Sequence, residues 1–400
     1  MCYEQYCTMK RIRILHTADL HLDASFAALG VNGRTGNELR RAQRHVLTRM
    51  LERARDWPAD LVLIAGDLFD NATTRDETAA FVADALEQLA PIPVYIAPGN
   101  RDPYTQDSPY ALSLWPDNVT VFEPGNWQRI DHAVLPLAIH GIGCDGSDDS
   151  GAWFNELRVE ADGRVHLALA HGTERAHQPP DSKCFAPFDA AAIAHDNLAY
   201  AALGHFHTGV IVAENDTTVI GYPGSPQGRS FKEHGKRSFL EVVIEHNDVG
   251  APKVQTTPIS CAHILFERYT CALKVGQDPQ QAVEQLAKSI DGDPAQMAVH
   301  LRAIGVLPPP IYPYIDALHA AAQSHFFHVE VENAVEALEG PPLFAGQRTC
   351  LSQFNEMMAA RMADATDAET GRFEAYARDL GLKACRSNAL PKHTATDPLS

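Results

Sequence analysis

Between Arg11 and about Ile244 the chain alternates short apolar runs with amphipathic or loop segments. The runs are Ile12-Arg13-Ile14-Leu15, Leu61-Val62-Leu63-Ile64-Ala65, Val94-Tyr95-Ile96-Ala97, His166-Leu167-Ala168-Leu169-Ala170 and Tyr200-Ala201-Ala202-Leu203. Each has strand length and ends in a polar or glycine cluster. Helical periodicity fills Glu38 to Asp56 and Thr74 to Leu89, between the first three runs. The pattern predicts a layered α/β domain whose central strands are buried on both faces.

Around residues 245–258 this pattern dissolves into His246-Asn247-Asp248-Val249-Gly250-Ala251-Pro252, which reads as a boundary. A smaller unit follows. Leu265 to Val275 is extended in character, and Asp278-Pro279 supplies an N-cap and first-turn proline for a helix carrying Val283, Leu286, Ala287 and Ile290. A strand at Met297 to Ile304, a helix at Tyr314 to Gln323 and a strand at Phe326 to Val331 complete a βαβ-type arrangement. Leu351 to Leu382 is helical and polar-rich, with Phe354, Met357, Met358, Met362, Phe373 and Tyr376 as apolar positions. The organisation expected is therefore 10–250, 259–335, a helical segment 346–385 and a disordered tail 386–400.

With 400 residues, 45% of them hydrophobic and 21% charged, the chain can bury a large core and divides naturally into two or three domains. No stretch approaches the roughly 20 apolar residues of a membrane span. Met1 to Met9 lack the apolar core of a signal peptide, so the chain is read as cytoplasmic. The cysteines at 2, 7, 144, 184, 261, 271, 350 and 385 have no C-x-x-C spacing and read as reduced structural thiols. The 51 acidic residues against 33 basic, a net charge of −18, argue against non-specific nucleic-acid binding by the whole surface. A local basic track, or a metal site that brings its own positive charge, stays compatible with that balance.

The chemistry lies at the strand ends. Asp19-Leu20-His21 follows the first run, Gly66-Asp67 the second, and Pro98-Gly99-Asn100-Arg101-Asp102 the third. His171-Gly172 and Gly204-His205-Phe206-His207 follow the fourth and fifth. In open α/β folds the carboxyl ends of the strands line the binding crevice. On extended backbone, Asp19 and His21 would share a side, as would His205 and His207. Each fragment alone is common in turns and surface loops. Together they offer two carboxylates, one amide and four imidazoles, a mixed nitrogen–oxygen set suited to manganese, iron or zinc.

This order of motifs resembles the calcineurin-like metallophosphoesterases, and more closely their bacterial DNA repair exonuclease branch, which holds YhaO and the SbcD/Mre11 nucleases. The residues that carry it are Thr17-Ala18-Asp19-Leu20-His21-Leu22-Asp23, Ala65-Gly66-Asp67-Leu68-Phe69-Asp70 and Tyr222-Pro223-Gly224-Ser225-Pro226-Gln227-Gly228-Arg229, followed by Phe231, Glu233 and Gly235. The resemblance covers residues 10–245 well and the rest in layout only. It implies a β-sandwich flanked by helices, a smaller α/β domain that caps the active site and helps select DNA ends, and a helical C-terminal segment. It places Asp19, His21 and His207 on one metal, Asn100, His171 and His205 on a second, and Asp67 between them. Starts like Met9-Lys10-Arg11-Ile12 are typical of the branch, which reads Met1 to Thr8 as a mis-assigned extension.

Two positions depart from the family. Arg101 stands where a histidine usually follows the asparagine, and Asp70 where a histidine often follows the bridging aspartate by three residues. Arginine can hydrogen-bond a phosphorane but gives up no proton near neutral pH. The implied activity is two-metal hydrolysis of phosphodiesters at DNA ends, with two divalent ions, Mn²⁺ first and Fe²⁺ or Zn²⁺ next, and weakened chemistry toward DNA. Arg40 and Arg44 share a helix face and, with Arg229, are candidates for phosphate contact. Implied partners are DNA ends, an SbcC/Rad50-type ATPase that Leu351 to Leu382 would dock, and a second copy, dimerisation being common among the relatives. Competing readings are a small-molecule or cyclic-nucleotide phosphodiesterase, and a weakly active or non-catalytic DNA-end-binding subunit of an ATPase complex.

Overall fold

The computed structural model describes residues 10–337 except 32, 71–73, 148–149, 180–182, 195–196, 214–217, 247–250 and 309, together with 350–363 and residues 374, 377, 378 and 381. The first nine residues, with the alternative start, and the 386–400 tail lie outside this set. The chain divides into two compact units, Met1–Glu267 and Arg268–Ser400.

The first unit opens with β1 (Lys10–Thr17), α1 (Gly33–Asp56), β2 (Leu61–Ile64), α2 (Asp76–Glu87), β3 (Val94–Ile96), α3 (Pro109–Leu112) and β4 (Val119–Val121). It continues through β5 (Gln128–Asp131), β6 (Leu137–Gly141), β7 (Val165–His171), β8 (Leu198–Gly204), β9 (Val210–Ala213), β10 (Val219–Tyr222), β11 (Ser238–His246) and β12 (Lys253–Ser260). These strands form two six-stranded sheets, ordered β12-β11-β1-β2-β3-β4 and β5-β6-β7-β8-β10-β9. The predicted runs are the parallel centres of both: β1 pairs with β2 and β2 with β3 in one sheet, β7 with β8 in the other.

Three apolar layers follow from this order. Ile12, Ile14, Leu61 and Leu63 from one sheet meet Leu167, Leu169 and Tyr200 from the other in the interior of the sandwich. Leu15, Val62 and Ile64 face the other way, toward Val46, Leu47 and Met50 of α1 and Val82 and Leu86 of α2. Ala168, Ala170 and Leu203 pack with Phe154, Phe188 and Phe206 on the far face. That two-sided burial is why β2, β7 and β8 read as continuous apolar runs rather than alternating ones. In α1 the buried Leu39, Ala42, Val46, Leu47, Met50 and Ala54 recur at three- and four-residue spacing, one helical stripe against the sheet.

The boundary read near residue 250 moves. β12 pairs with β11 from Ser238↔Ser260 to Glu245↔Lys253, so the polar stretch joins two antiparallel neighbours of one sheet instead of linking domains. β13 (Leu265–Leu273) begins at the end of the first unit and runs into the second, which goes on with α4 (Pro279–Ser289), β14 (Met297–Leu307), α5 (Tyr312–Gln323), β15 (His328–Ala337) and α6 (Cys350–Ala363). Asp278 caps α4 as predicted, its carboxylate accepting from Gln280 N at 3.0 Å. β14 and β15 run parallel with α5 between them in sequence, a βαβ unit. No helix among the described residues is long and apolar enough to cross a membrane.

Candidate metal centre

The five strand-end motifs converge. β1, β2 and β3 of one sheet and β7 and β8 of the other end at the same place, and at or shortly beyond those ends lie Asp19, His21, Asp67, Asn100, His171, His205 and His207. His21 Nε2 lies 3.3 Å from His207 Nε2 and 3.6 Å from Asp67 Oδ2. His171 Nε2 lies 3.0 Å from Asn100 Oδ1 and 3.6 Å from Asp67 Oδ1, and His205 Nδ1 is 3.3 Å from the same amide oxygen. Donor atoms of Asp19, His21 and His207 lie within 4.8 Å of one another, as do those of Asp19, Asp67 and His171.

Strand alternation does not produce this convergence. Asp19 (φ 54°), His21 (φ 49°), Asp67 (φ 52°) and His205 (φ 108°) have positive φ, sparsely populated for non-glycine residues. The surroundings hold them there. Asp19 N donates to Gly66 O, His21 N to Asp67 O and Leu22 N to Leu68 O, so the loops after β1 and β2 extend the ladder beyond the sheet. Asp102 secures the adjacent corner: its carboxylate accepts from Asp67 N, Phe69 N and Gly99 N and from Tyr110 Oη, all at 2.6–3.0 Å. Two glycines permit the approach. A Cβ on Gly204 would sit 1.8 Å from Ala65 O, and one on Gly99 2.4 Å from Asp67 Oδ1.

The donors are arranged for cations. His171 Nδ1–H donates to Ala65 O at 2.8 Å, His205 Nε2–H to Lys183 O at 2.8 Å, and His207 Nδ1–H to Glu233 Oε1 at 2.9 Å. Each bond commits one ring nitrogen as donor and leaves the other with a lone pair toward the centre. Asp19 Oδ1, fully buried, has no hydrogen-bond partner, which suits a cation ligand. Burial, then the fields of Arg229 and other histidines, holds the His21 imidazole well below its ordinary range. Burial, then His205, does the same to His171. Burial and the neighbouring Asp102 and Asp19 push Asp67 up. Neutral imidazoles around carboxylates with too little countercharge form a site that a divalent cation stabilises.

The candidate DNA contacts separate. Arg229 reaches the centre, its Nη2 lying 3.1 Å and 3.3 Å from the two ring nitrogens of His207. Arg40 lies on α1 and donates to Asn37 Oδ1. Arg44 is committed to the fold: it donates to Thr78 Oγ1, pairs with Asp23 at 3.5 Å and covers the Phe81 ring. Arg101 borders the centre, its backbone N donating to Asp67 Oδ1 at 2.8 Å, while its half-exposed side chain turns to Asp70. Asp102 and Glu233 both lie within the sequence motifs, but no role follows from their spacing alone.

Residues 12–209 match the calcineurin-like phosphoesterase family. A relative 30% identical over 267 residues, the SbcD nuclease subunit of Staphylococcus epidermidis, aligns with 60% of this chain and 67% of its own. The chain belongs to the calcineurin-like metallophosphoesterases. The family's chemistry is phosphoester hydrolysis on two divalent metal ions, for which the converged donors are the candidate ligands. YhaO of Bacillus subtilis, an uncharacterised metallophosphoesterase, is 27% identical over 248 residues, which are 60% of this chain and 59% of YhaO. The chain thus spans about three fifths of YhaO's length. A dimetal phosphatase from Danio rerio superposes with a TM-score of 0.39 at 12% identity, covering 63% of this chain and 99% of that one.

Proposed function

We propose that this metallophosphoesterase is a two-metal phosphodiesterase that acts as a nuclease on DNA ends. The observation that carries the reading is the position of Asp67, whose two carboxylate oxygens lie 3.6 Å from His21 Nε2 on one side and 3.6 Å from His171 Nε2 on the other. On this reading Asp19, His21 and His207 hold one ion, Asn100, His171 and His205 hold the other, and Asp67 bridges. The mixed nitrogen–oxygen set favours Mn²⁺, with Fe²⁺ or Zn²⁺ as the next choices.

Two divalent ions held by these residues would supply a clamp on the phosphate, a bound water of lowered pKa and positive charge to stabilise in-line displacement. The chain's own residues do the rest. The buried carboxylates and imidazoles fix the geometry, and the bonds to Ala65 O, Lys183 O and Glu233 keep the rings of His171, His205 and His207 from turning. Arg229 and Arg101 present guanidinium groups to phosphate oxygens. Neither arginine can donate a proton to a departing alkoxide near neutral pH, so turnover on DNA is slow relative to esters whose leaving group is already a stable anion.

The second unit is assigned the selection of DNA ends, and the segment Leu351 to Leu382, of which α6 is the main described part and most of the remainder lies outside the described residues, the docking of an SbcC-type ATPase. The reading draws support from the likeness to the SbcD nuclease subunit. The test compares linear double-stranded DNA with a covalently closed circle of the same sequence in Mn²⁺. Loss of the linear form with the circle spared supports action at ends. Equal attack on both, or activity only on small phosphodiesters, contradicts it.

A further inference from the structure

Within the Asp19–His21–His207 cluster, His207 is the candidate ligand that most needs fixing. Its side chain is 33% exposed, against 1% for His21 and 0% for Asp19, with which it shares one cluster. A ring at the rim can turn or change tautomer, and either movement withdraws the Nε2 lone pair from a cation.

The segment from Ser225 to Arg237 surrounds it. Ser225 N donates to His207 O at 3.1 Å, and Arg237 Nη1 donates to the same carbonyl at 2.7 Å, which anchors the backbone. The ring is held by Glu233, whose Oε1 accepts from Nδ1–H at 2.9 Å and from Arg229 Nη2 at 3.0 Å. The other carboxylate oxygen accepts from Arg229 N at 2.9 Å and from Ser225 Oγ at 3.4 Å. Arg229 Nη2 also lies 3.1 Å from His207 Nδ1. A guanidinium only donates, so without Glu233 it would donate to Nδ1, force the proton onto Nε2 and make the ring useless as a ligand at that atom. Glu233 prevents this by being the stronger acceptor for both groups.

We propose that Glu233 is a positioning residue that holds His207 in its metal-binding tautomer, and that the Glu233–Arg229 ion pair sets the cation affinity of the Asp19–His21–His207 position independently of the second position. The inference rests on the two-metal reading for its affinity claim, but the tautomer claim stands on the metal-free protein. The pair also keeps a guanidinium beside the cation without adding a full uncompensated positive charge there, which leaves Arg229 free to meet an incoming phosphate. Removing a carboxylate that orients a ligating histidine typically changes metal affinity by about 10- to 100-fold.

The test uses the full chain, titrated with Mn²⁺ and followed by the EPR signal of the free ion, together with ¹⁵N shifts of His207 in the metal-free protein. Glu233→Ala should weaken one of two binding events by about 10- to 100-fold and leave the other unchanged. Its His207 should move from the Nδ1–H tautomer toward Nε2–H. Glu233→Gln, which keeps an acceptor but no charge, should retain the tautomer with a smaller loss of affinity. Arg229→Met should retain the tautomer and bind the ion at the Asp19–His21–His207 position at least as tightly as the wild type. If Glu233→Ala does not fold, Glu233→Gln carries the test: weakening of one binding event alone supports the proposal, and equal weakening of both, or of neither, overturns it. Equal weakening of both events, or an unchanged tautomer in Glu233→Ala, overturns the proposal. A wild type that binds fewer than two ions while the tautomer still responds to Glu233 removes the two-metal reading and keeps the positioning role.

Discussion

The Arg101 guanidinium and the Asp70 carboxylate are an ion pair, Nη2 to Oδ1 at 3.0 Å, at the edge of the metal centre. These are the two positions that the resemblance read from the sequence marks as departures from the family's usual histidines. The two meet in the fold as a fixed charge and its counterion. With the Arg101 side chain 51% exposed the pair adds little stability, so its significance is chemical.

Arg101→His should therefore restore a proton donor. Asp70 beside the new imidazole would favour its protonated form, the state needed to protonate a departing alkoxide. Cleavage of DNA should rise by about 10- to 100-fold, while hydrolysis of an aryl phosphodiester, whose leaving group needs no proton, should change less than about threefold. Metal content should not change. No gain on DNA with both ions bound would remove this account of Arg101.

Asp102 holds the centre without belonging to it. Asp102→Ala would leave Asp67 N, Phe69 N and Gly99 N without their acceptor and Tyr110 without its partner. The expected loss is about 3 kcal/mol in urea denaturation. Metal affinity should fall as well, because the positive-φ conformation of Asp67 depends on that corner. An Asp102→Ala protein with wild-type stability would contradict the assignment.

Most of the centre was legible from the sequence because its residues end apolar runs, and a strand that stops at a polar side chain announces both its length and its mouth. All seven candidate ligands are brought together. The means of convergence was not legible, since positive φ at Asp19, His21 and Asp67 depends on loop-to-loop hydrogen bonds that no local pattern encodes. β6, fully buried, escaped because Leu137-Ala138-Ile139-His140-Gly141 carries a histidine and a glycine in a short run. The pairing of β11 with β12 looked like a linker in the sequence because the stretch between the two strands is rich in polar residues, glycine and proline. Arg44 looked like a free phosphate contact because its partners, Asp23 and Thr78, are distant in sequence.

Arg40 and Arg44 should now behave differently. Arg40→Glu should weaken DNA binding and reduce the slope of log affinity against log salt by about one if that guanidinium meets a phosphate. Arg44→Ala should instead lower stability, by about 1–2 kcal/mol, through the loss of its bonds to Asp23 and Thr78 and its cover over Phe81. Salt-dependent binding isotherms and urea melts separate the two effects. Identical behaviour of the two variants in both assays would refute the distinction.

Stability should fall in mild acid for a reason remote from metals. Burial holds His16, whose Nδ1 meets Tyr200 Oη at 2.8 Å, down to about 3 from its ordinary 6.5. Burial and the adjacent His166 hold His140 down to about 4. The unfolded chain takes up protons on these rings below pH 6.5, and the folded chain does not until well below pH 5. Their contribution is complete above pH 6.5 and is lost progressively as pH falls toward 4, by a few kcal/mol in all. A His16→Leu/Tyr200→Phe variant in chelator should lose less stability between pH 7.5 and 5 than the wild type does. An equal loss would mean that His16 is not responsible.

The most direct test of the two-metal account pairs metal counting with DNA cleavage in one preparation, wild type beside Asp67→Ala. After equilibration with Mn²⁺ and gel filtration, the wild type should carry two ions per chain, degrade linear DNA and lose that activity in chelator. Asp67→Ala should remain folded, retain at most one ion and cleave at least about 1000-fold more slowly, since the clamp on both sides of the phosphate is gone. Wild-type cleavage by an Asp67→Ala protein, or full activity in chelator, would contradict the account.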